Sequence, residues 1–294
     1  MSKRAGWIVG IVVACLVAVA AIPLSVILLR PAAEEPVASP SPTATATPTP
    51  EPTGPAENSA GYDRGSYPAV DVFLVDDALP VDDAPESRAS ELTAEPSSAD
   101  GAPVFADPAG EPVAWLAQEQ RYGGTVVPVV EEYEHWVKVL LVGRHARAGE
   151  GDPGQLSGWL RAADVRLATL GTSVEVDLEA QTIDIVTGAG ADAERETIAT
   201  GFAWGTDATP TPLGRSFVMM TETTSFAYTR GHPIVYLSVQ SPTLASFGGD
   251  DVAITAFHYH DRREGAISNG CIRVGAEAIE RLAALPEGTP VYVS

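Results

Sequence analysis

The residues best suited to chemistry lie near the end of the chain, in a Ser-Asn-Gly-Cys-Ile-Arg turn that spans Ser268–Arg273. A cysteine attacks as a thiolate, so it needs a nearby base or cation and access to solvent. Gly270 lets a substrate carbonyl approach the Cys271 sulfur, and the successive N–H groups of such a turn can form an oxyanion hole. Arg273 adds positive charge, either for the thiolate or for a substrate carboxylate.

Two histidines stand just upstream of this turn, His258 and His260. A cysteine with a histidine is the minimum set for acyl transfer by an activated thiol. Residues 258 and 260 of a strand point to the same side, so either ring could approach the sulfur. The longer spacing to Cys271 and the apolar strand before it favour His258, with His260 as the alternative base.

The plainer interpretation is that Cys271 is an inert buried thiol and that both histidines are surface residues. The Ser-Asn-Gly turn, the neighbouring arginine and the two histidines together favour chemistry over that interpretation. His258 and His260, at positions i and i+2, together with Asp261 are a poor set of ligands for zinc. We therefore predict neither a metal site nor a cofactor.

The elements around these residues are mostly strands. Residues 174–178 and 182–186 alternate in polarity across a short turn and predict a hairpin, and residues 252–258 form a buried type of strand that leads into His258. Residues 276–285 have helical spacing, with a glycine before them and a proline after them. The segment 170–294 is therefore predicted to be mainly β with one short helix.

This segment resembles the catalytic domain of the L,D-transpeptidases, the YkuD family. Its family pattern has a histidine at a strand end, a variable loop and a Ser/Thr-x-Gly-Cys-x-Arg/Asn turn, here Ala256-Phe257-His258 and Ser268-Asn269-Gly270-Cys271-Ile272-Arg273. The stretches at 211–217 and 285–293 resemble the family's Thr-Pro-x-Gly-x-Phe motif and its closing Gly-Thr-Pro-Val strand. The resemblance covers about residues 170–294.

The resemblance implies a peptidoglycan L,D-transpeptidase that acts on stem tetrapeptides and forms 3→3 cross-links through a cysteine acyl-enzyme. It makes Cys271 the nucleophile and a histidine its base, and it implies acylation by carbapenem-type inhibitors. The oxyanion and the substrate would be held by residues in and near the turn, namely Ser268, Asn269, Gly270, Arg273 and Tyr259. Two alternatives remain, an L,D-carboxypeptidase that uses water as acceptor and a catalytically impaired wall-binding scaffold.

Residues 101–169 carry short β-like runs separated by Gly, Pro and Asp, which is typical of a small barrel. The segment resembles a bacterial SH3-like module in its Pro-Val-Phe, His-Trp-Val-Lys-Val and Gly-Trp-Leu-Arg-Ala stretches. Trp136 and Trp159 either line a peptide groove or belong to the core of the barrel, and the second interpretation is favoured.

The N-terminal third is not predicted to form a domain. Residues 6–29 are 24 uncharged residues that follow Lys3 and Arg4, which is long enough for a membrane helix and favours a cytoplasmic N-terminus. A cleaved signal peptide is the alternative, although its apolar region is usually shorter. Residues 31–100 are rich in proline and acid and predict a disordered spacer. The predicted organisation is therefore a tip and anchor at 1–30, a spacer at 31–100, and domains at 101–169 and 170–294, the domains lying outside the membrane in the cell wall.

The 294 residues include 39 acidic and 18 basic side chains, for a net charge of −21. Such a balance disfavours nonspecific nucleic-acid binding, which needs lysine and arginine against phosphate. Two cysteines are too few for a disulfide framework. Since Cys15 lies in the apolar segment, Cys271 is left as the single thiol of the two predicted domains.

Overall fold

The computed structural model describes residues 54–294, which form two curled β-sheets. Within that range there is one α-helix, α1, over Ala276–Ala283. The prediction of a mainly β chain with one short helix is confirmed. No helix within residues 54–294 is both long enough and apolar enough to cross a bilayer. The predicted membrane helix at 6–29 lies outside the described residues.

The first sheet has seven antiparallel strands in the order β3-β2-β6-β5-β4-β1-β7. Runs of β-branched and aromatic residues form these strands because such side chains pack well on a pleated surface. Their bounds are β1 Leu92–Pro96, β2 Ala102–Phe105, β3 Pro112–Leu116, β4 Val127–Glu132, β5 Trp136–Leu141, β6 Leu156–Arg161 and β7 Val165–Thr169.

The second sheet has ten strands in the order β10-β9-β8-β17-β12-β13-β14-β16-β11-β15. The predicted hairpin is its β8–β9 pair. Their bounds are β8 Thr172–Asp177, β9 Thr182–Thr187, β10 Glu194–Thr200, β11 Ala203–Gly205, β12 Gly214–Thr223, β13 Pro233–Gln240, β14 Ile254–Tyr259, β15 Gly265–Ser268, β16 Ile272–Val274 and β17 Pro290–Val293. Helix α1 packs against β13 and β14 through its buried residues Ala278, Ile279 and Leu282.

Residues 54–100 differ from the predicted disordered spacer. Val70, Val72 and Leu74 alternate along the chain, and their side chains join the core under the first sheet, as does Leu79. Strand β1 also comes from this segment and pairs with β4 and β7. The acidic composition conceals this packing, because the acids between the apolar positions are mostly exposed or held in polar contacts.

The two sheets share buried contacts. Phe217 and Met219 of β12 belong to the same hydrophobic cluster as the first sheet. Asp82 and Arg215 form a buried two-pronged ion pair, with both N···O distances at 2.7 Å. The turn at Ser268–Arg273 therefore belongs to a sheet that is held to the preceding β-rich segment by these contacts.

The two tryptophans of the first sheet have different surroundings. Trp136 is fully buried, meets the edge of Phe105 with ring centroids 5.0 Å apart, and donates from Nε1 to the carbonyl of Ala56 at 2.8 Å. Trp159 is half-buried and stacks on Tyr133 at 5.8 Å. Trp136 is thus a core residue, as the favoured interpretation had it. The SH3-like identity of residues 101–169 stays a prediction.

Candidate active site

The segments that carry the predicted nucleophile and base belong to neighbouring parallel strands. Strands β14 and β16 pair in a register that sets Phe257 opposite Ile272 and His258 opposite Arg273. Cys271 immediately precedes β16, and its Sγ lies 4.0 Å from the carbonyl oxygen of Ile254 on β14. Cys271 therefore stands just before a strand that pairs with the strand carrying His258, although 13 positions separate the two residues in the sequence.

The turn that carries Cys271 is braced from inside by Ser268. The buried Ser268 hydroxyl donates to the carbonyl of Cys271 at 2.5 Å and accepts the N–H of Gly270 at 3.1 Å. Gly270 has φ +103°, a conformation that L side chains rarely adopt. Ser268 thus holds the turn rather than facing a substrate, and Asn269 at its tip is exposed.

A second loop supports this turn from outside. The Thr211 hydroxyl donates to the carbonyl of Gly270 and accepts the N–H of Gly205, both at 2.9 Å. The Thr209 hydroxyl donates to the carbonyl of Ser268, also at 2.9 Å. The sequence singled out residues 211–217 for their likeness to a family motif, but nothing in that pattern showed that the Thr209 and Thr211 hydroxyls hold the cysteine turn.

His258 is oriented by the residue that follows it. Its Nδ1 lies 2.9 Å from the carbonyl oxygen of Tyr259. A carbonyl only accepts, so this bond assigns the proton of the neutral ring to Nδ1 and leaves the lone pair of Nε2 free. The residue is 8% exposed. Burial, with a smaller contribution from the charge of Arg273, lowers its pKa to about 4.

His260 has the opposite arrangement. Its Nδ1 accepts the backbone N–H of Arg262 at 2.9 Å, so the proton of the neutral ring belongs on Nε2. The ring is half-buried, and its centroid lies 6.1 Å from that of His258. Burial and the charge of Arg273 lower its pKa as well.

The thiol and its cationic neighbour are both desolvated. Cys271 is a free, half-buried cysteine, and the burial of its sulfur raises the pKa of the thiol despite the charge of Arg273 and a hydrogen bond with the Ala256 backbone. Burial also lowers the pKa of Arg273. Its buried Nε has no hydrogen-bond partner among residues 54–294. Such a cation, placed beside the sulfur, suits an incoming anionic group.

An aromatic loop that sequence reasoning missed completes the site. The Tyr228 ring lies 5.2 Å from that of His258 and stacks on Phe226 at 5.5 Å. Burial and the nearby Cys271 raise the pKa of Tyr228. Arg230 ties this loop to Asp261 at 2.6 Å. The pattern of strands held no signal for it, because it is a loop between β12 and β13.

Tyr259 occupies the end of β14 in a way the prediction did not describe. Its ring packs against His232 with centroids 4.8 Å apart, and its hydroxyl donates to Asp261 at 2.9 Å. Its carbonyl orients His258. Residues 54–294 contain no group of three His, Cys, Asp or Glu side chains placed to share a metal ion.

The sequence model of the YkuD L,D-transpeptidase catalytic domain matches residues 171–293. This segment belongs to the YkuD family. In this chain the YkuD domain is preceded by an additional β-rich domain. A comparison with curated proteins gives no significant match.

Solved structures similar to this chain include three bacterial proteins. One is a fused Zn-dependent amidase/peptidase/peptidoglycan-binding domain-containing protein from Clostridium acetobutylicum, with 18% identity over 42% of this chain and a TM-score of 0.30. Another is an L,D-transpeptidase from Stackebrandtia nassauensis, with 20% identity over 43% of this chain and a TM-score of 0.30. The third is an L,D-transpeptidase from Mycobacterium smegmatis, with 14% identity over 54% of this chain and a TM-score of 0.31. The matches span 52%, 57% and 91% of those three chains. The family assignment rests on the sequence model.

Proposed function

We propose that this protein is a peptidoglycan L,D-transpeptidase that works through a Cys271 acyl-enzyme. The observation that carries the proposal is the tautomer of His258. With Nδ1 donating to the Tyr259 carbonyl at 2.9 Å, the ring keeps a free lone pair at Nε2, and its strand pairs with the strand that Cys271 immediately precedes. A neutral imidazole beside a neutral thiol is the resting pair that general-base activation requires.

In the acylation step, Nε2 of His258 takes the thiol proton as the Cys271 sulfur attacks the carbonyl between the third residue of the stem tetrapeptide and its terminal D-alanine. The tetrahedral intermediate collapses, the C–N bond breaks, and His258 returns the proton to the departing amine. A thioester remains. The amine of a second stem then attacks it, gives up a proton through His258 and restores the thiol, leaving a 3→3 cross-link.

Backbone N–H groups of the turn stabilise the oxyanion in this scheme. The N–H of Gly270 already donates to Ser268, so we assign the oxyanion to the N–H groups of Asn269 and Cys271. Arg273 holds an anionic group of the substrate, since its buried Nε lacks a partner in the described part of the chain. Ser268 positions the turn.

His260 is not proposed as the base. Its Nδ1 lone pair is taken by the N–H of Arg262, and its Nε2 carries the proton in the neutral ring. Because Tyr259 orients His258 through its main-chain carbonyl, its side chain gives no reason to expect inactivity.

A Cys271→Ala variant tests the activity, with Cys15→Ala as the matched control because the chain has two cysteines. We expect the first variant to lose 3→3 dimers in muropeptide mass spectra and to lose the carbapenem mass adduct, and the second to keep both. Unchanged dimers together with no adduct on the wild-type protein would reject the enzyme. Trimmed stems without dimers would identify water as the acceptor.

We also propose that residues 6–29 anchor the protein in the cell membrane with the N-terminus in the cytoplasm. The support is the uncharged run behind Lys3 and Arg4. Carbonate extraction of membranes at high pH tests it. Release of the full-length protein into the supernatant would contradict the anchor.

A further inference from the structure

Residues 54–62 run along the first sheet as an extended strap. The carbonyl of Ala56 accepts from Nε1 of Trp136 at 2.8 Å. The carbonyls of Asn58 and Ala60 accept from Nη1 of Arg161 at 3.2 and 2.7 Å. The carbonyls of residues i, i+2 and i+4 point to the same side when the backbone is extended. The first sheet therefore binds this strap in the way that it would bind an extended peptide.

Aromatic rings border the strap at both ends. Gly54 has φ +103°, and its backbone packs so closely on Tyr133 that an added Cβ would lie 2.5 Å from the ring. Tyr133 in turn stacks on Trp159. At the other end, Tyr62 meets the edge of Phe105 at 5.7 Å. We call the surface made by Phe105, Tyr133, Trp136, Trp159 and Arg161 the aromatic groove.

The groove holds the main chain of the strap and leaves several of its side chains free. Ala56, Glu57, Ser59 and Ala60 are exposed, and all three groove-to-strap hydrogen bonds end on carbonyl oxygens. The strap supplies its own amide contacts, since the N–H of Ala60 donates to the side chain of Asn58 at 3.0 Å. Such contacts tolerate many sequences between the two ends of the strap and demand an extended shape, with a glycine against Tyr133 and a tyrosine against Phe105.

The indole N–H of Trp136 has its hydrogen-bond partner on the strap, and not within the groove. Its ring is fully buried while its one donor points at the strap. A buried indole N–H that loses its partner is unfavourable. An empty groove therefore favours any extended peptide that offers a carbonyl at this position.

We propose that the aromatic groove is a peptide-docking site whose occupant is the chain's own segment 54–62, held in cis. A free peptide of the same sequence binds the groove once the strap is removed. A tethered occupant acts at an effective concentration of about 1 mM. A free peptide that binds the empty groove with a Kd of about 100 µM would therefore bind the intact chain about tenfold more weakly.

The test uses the full chain and a full chain in which residues 54–62 are replaced by nine Gly and Ser residues. A fluorescent peptide of sequence GPAENSAGY should bind the replaced chain by polarisation, and the intact chain about tenfold more weakly. A peptide with Gly54→Val should lose binding to the replaced chain. The matched Gly61→Val peptide should keep it, because a Cβ at Gly61 meets nothing within 4 Å.

Hydrogen exchange on the intact chain gives an independent readout. Gly54→Ala should speed exchange of the Trp136 indole N–H, which donates to the strap, and leave the amides of β5 and β6 protected, whereas Gly61→Ala should change neither. Protection of β5 and β6 also shows that the replaced chain is folded.

The proposal is overturned if the peptide fails to bind a folded replaced chain, if it binds both chains equally, or if both glycine variants act alike. Displacement of the peptide by a stem tetrapeptide at a lower concentration than unlabelled GPAENSAGY would overturn the assignment to the strap, and would make the groove a site for wall peptides.

Discussion

Replacing each histidine by glutamine separates the two candidate bases. Glutamine is close in size to histidine, can donate to a carbonyl and cannot take a proton at neutral pH. General-base catalysis contributes about 10²–10⁴-fold to rate. We therefore expect His258→Gln to slow acylation of Cys271 by that factor and His260→Gln to leave the rate within the same order of magnitude, because only His258 has a free Nε2 lone pair.

The pH dependence of acylation gives a quantitative form of this prediction. With the pKa of His258 lowered to about 4 by burial, about 90% of the rings are neutral at pH 5 and nearly all at pH 7. A histidine at its ordinary pKa of about 6.5 would lose about 25-fold of its neutral form over the same range. The raised pKa of Cys271 keeps the thiol protonated there. Acylation should therefore change little from pH 7 to pH 5 and fall only as the pH approaches 4.

Stopped-flow acylation by a carbapenem, followed by the loss of its absorbance, measures both quantities on one protein. Thermal unfolding of each variant shows whether the fold is kept. An acid limb centred near pH 6.5, or a larger loss in His260→Gln than in His258→Gln, would refute the reasoning. A rate that climbs tenfold per pH unit from pH 5 would also refute it, since that would make a pre-formed thiolate the reacting species.

Three further changes test what holds the site. Asp82→Ala leaves Arg215 buried without its two-pronged partner and should lower the free energy of unfolding by about 3–5 kcal/mol in urea titration; an unchanged midpoint would contradict this. Thr211→Val removes the hydroxyl between two backbone groups and should cost about 1–3 kcal/mol and slow acylation of Cys271; unaltered stability would count against the support. Gly270→Ala should cost about 1–2 kcal/mol at φ +103°, checked by thermal unfolding, and no loss would mean that the turn tolerates a side chain.

Local patterns predicted much of the fold. The hairpin of β8 and β9, the strand before His258 and helix α1 each follow from spacing that a single segment carries. The Cys271 turn was found in the same way, because glycine, cysteine and arginine stand within four positions. These features need no knowledge of what packs against them.

The rest depends on partners that are distant in sequence. Strand β1 was missed because it lies in acidic sequence and is stabilised by pairing with β7, more than 65 residues later. The hydroxyl of Thr211 meets the turn 59 residues on. The tautomers of His258 and His260 depend on single backbone groups, a carbonyl in one case and an N–H in the other. Nothing in a pattern of residue types distinguishes those two bonds.

Arg273 makes the resting site and the working site electrostatically different. Burial does most to lower the pKa of His258, and the positive charge of Arg273 lowers it further, so Arg273 opposes the imidazolium that must form when the thiol proton moves. A substrate carboxylate bound to Arg273 would cancel much of that repulsion and make His258 a stronger base. Under the proposed function, His258 is therefore a weaker base before the anionic group of the substrate binds than after it binds. This difference favours reaction with a stem peptide over ionisation of the thiol in the absence of substrate. An Arg273→Gln variant should accordingly lose more activity toward a peptide with a free carboxylate than toward its amide, and equal losses would remove the carboxylate from this account.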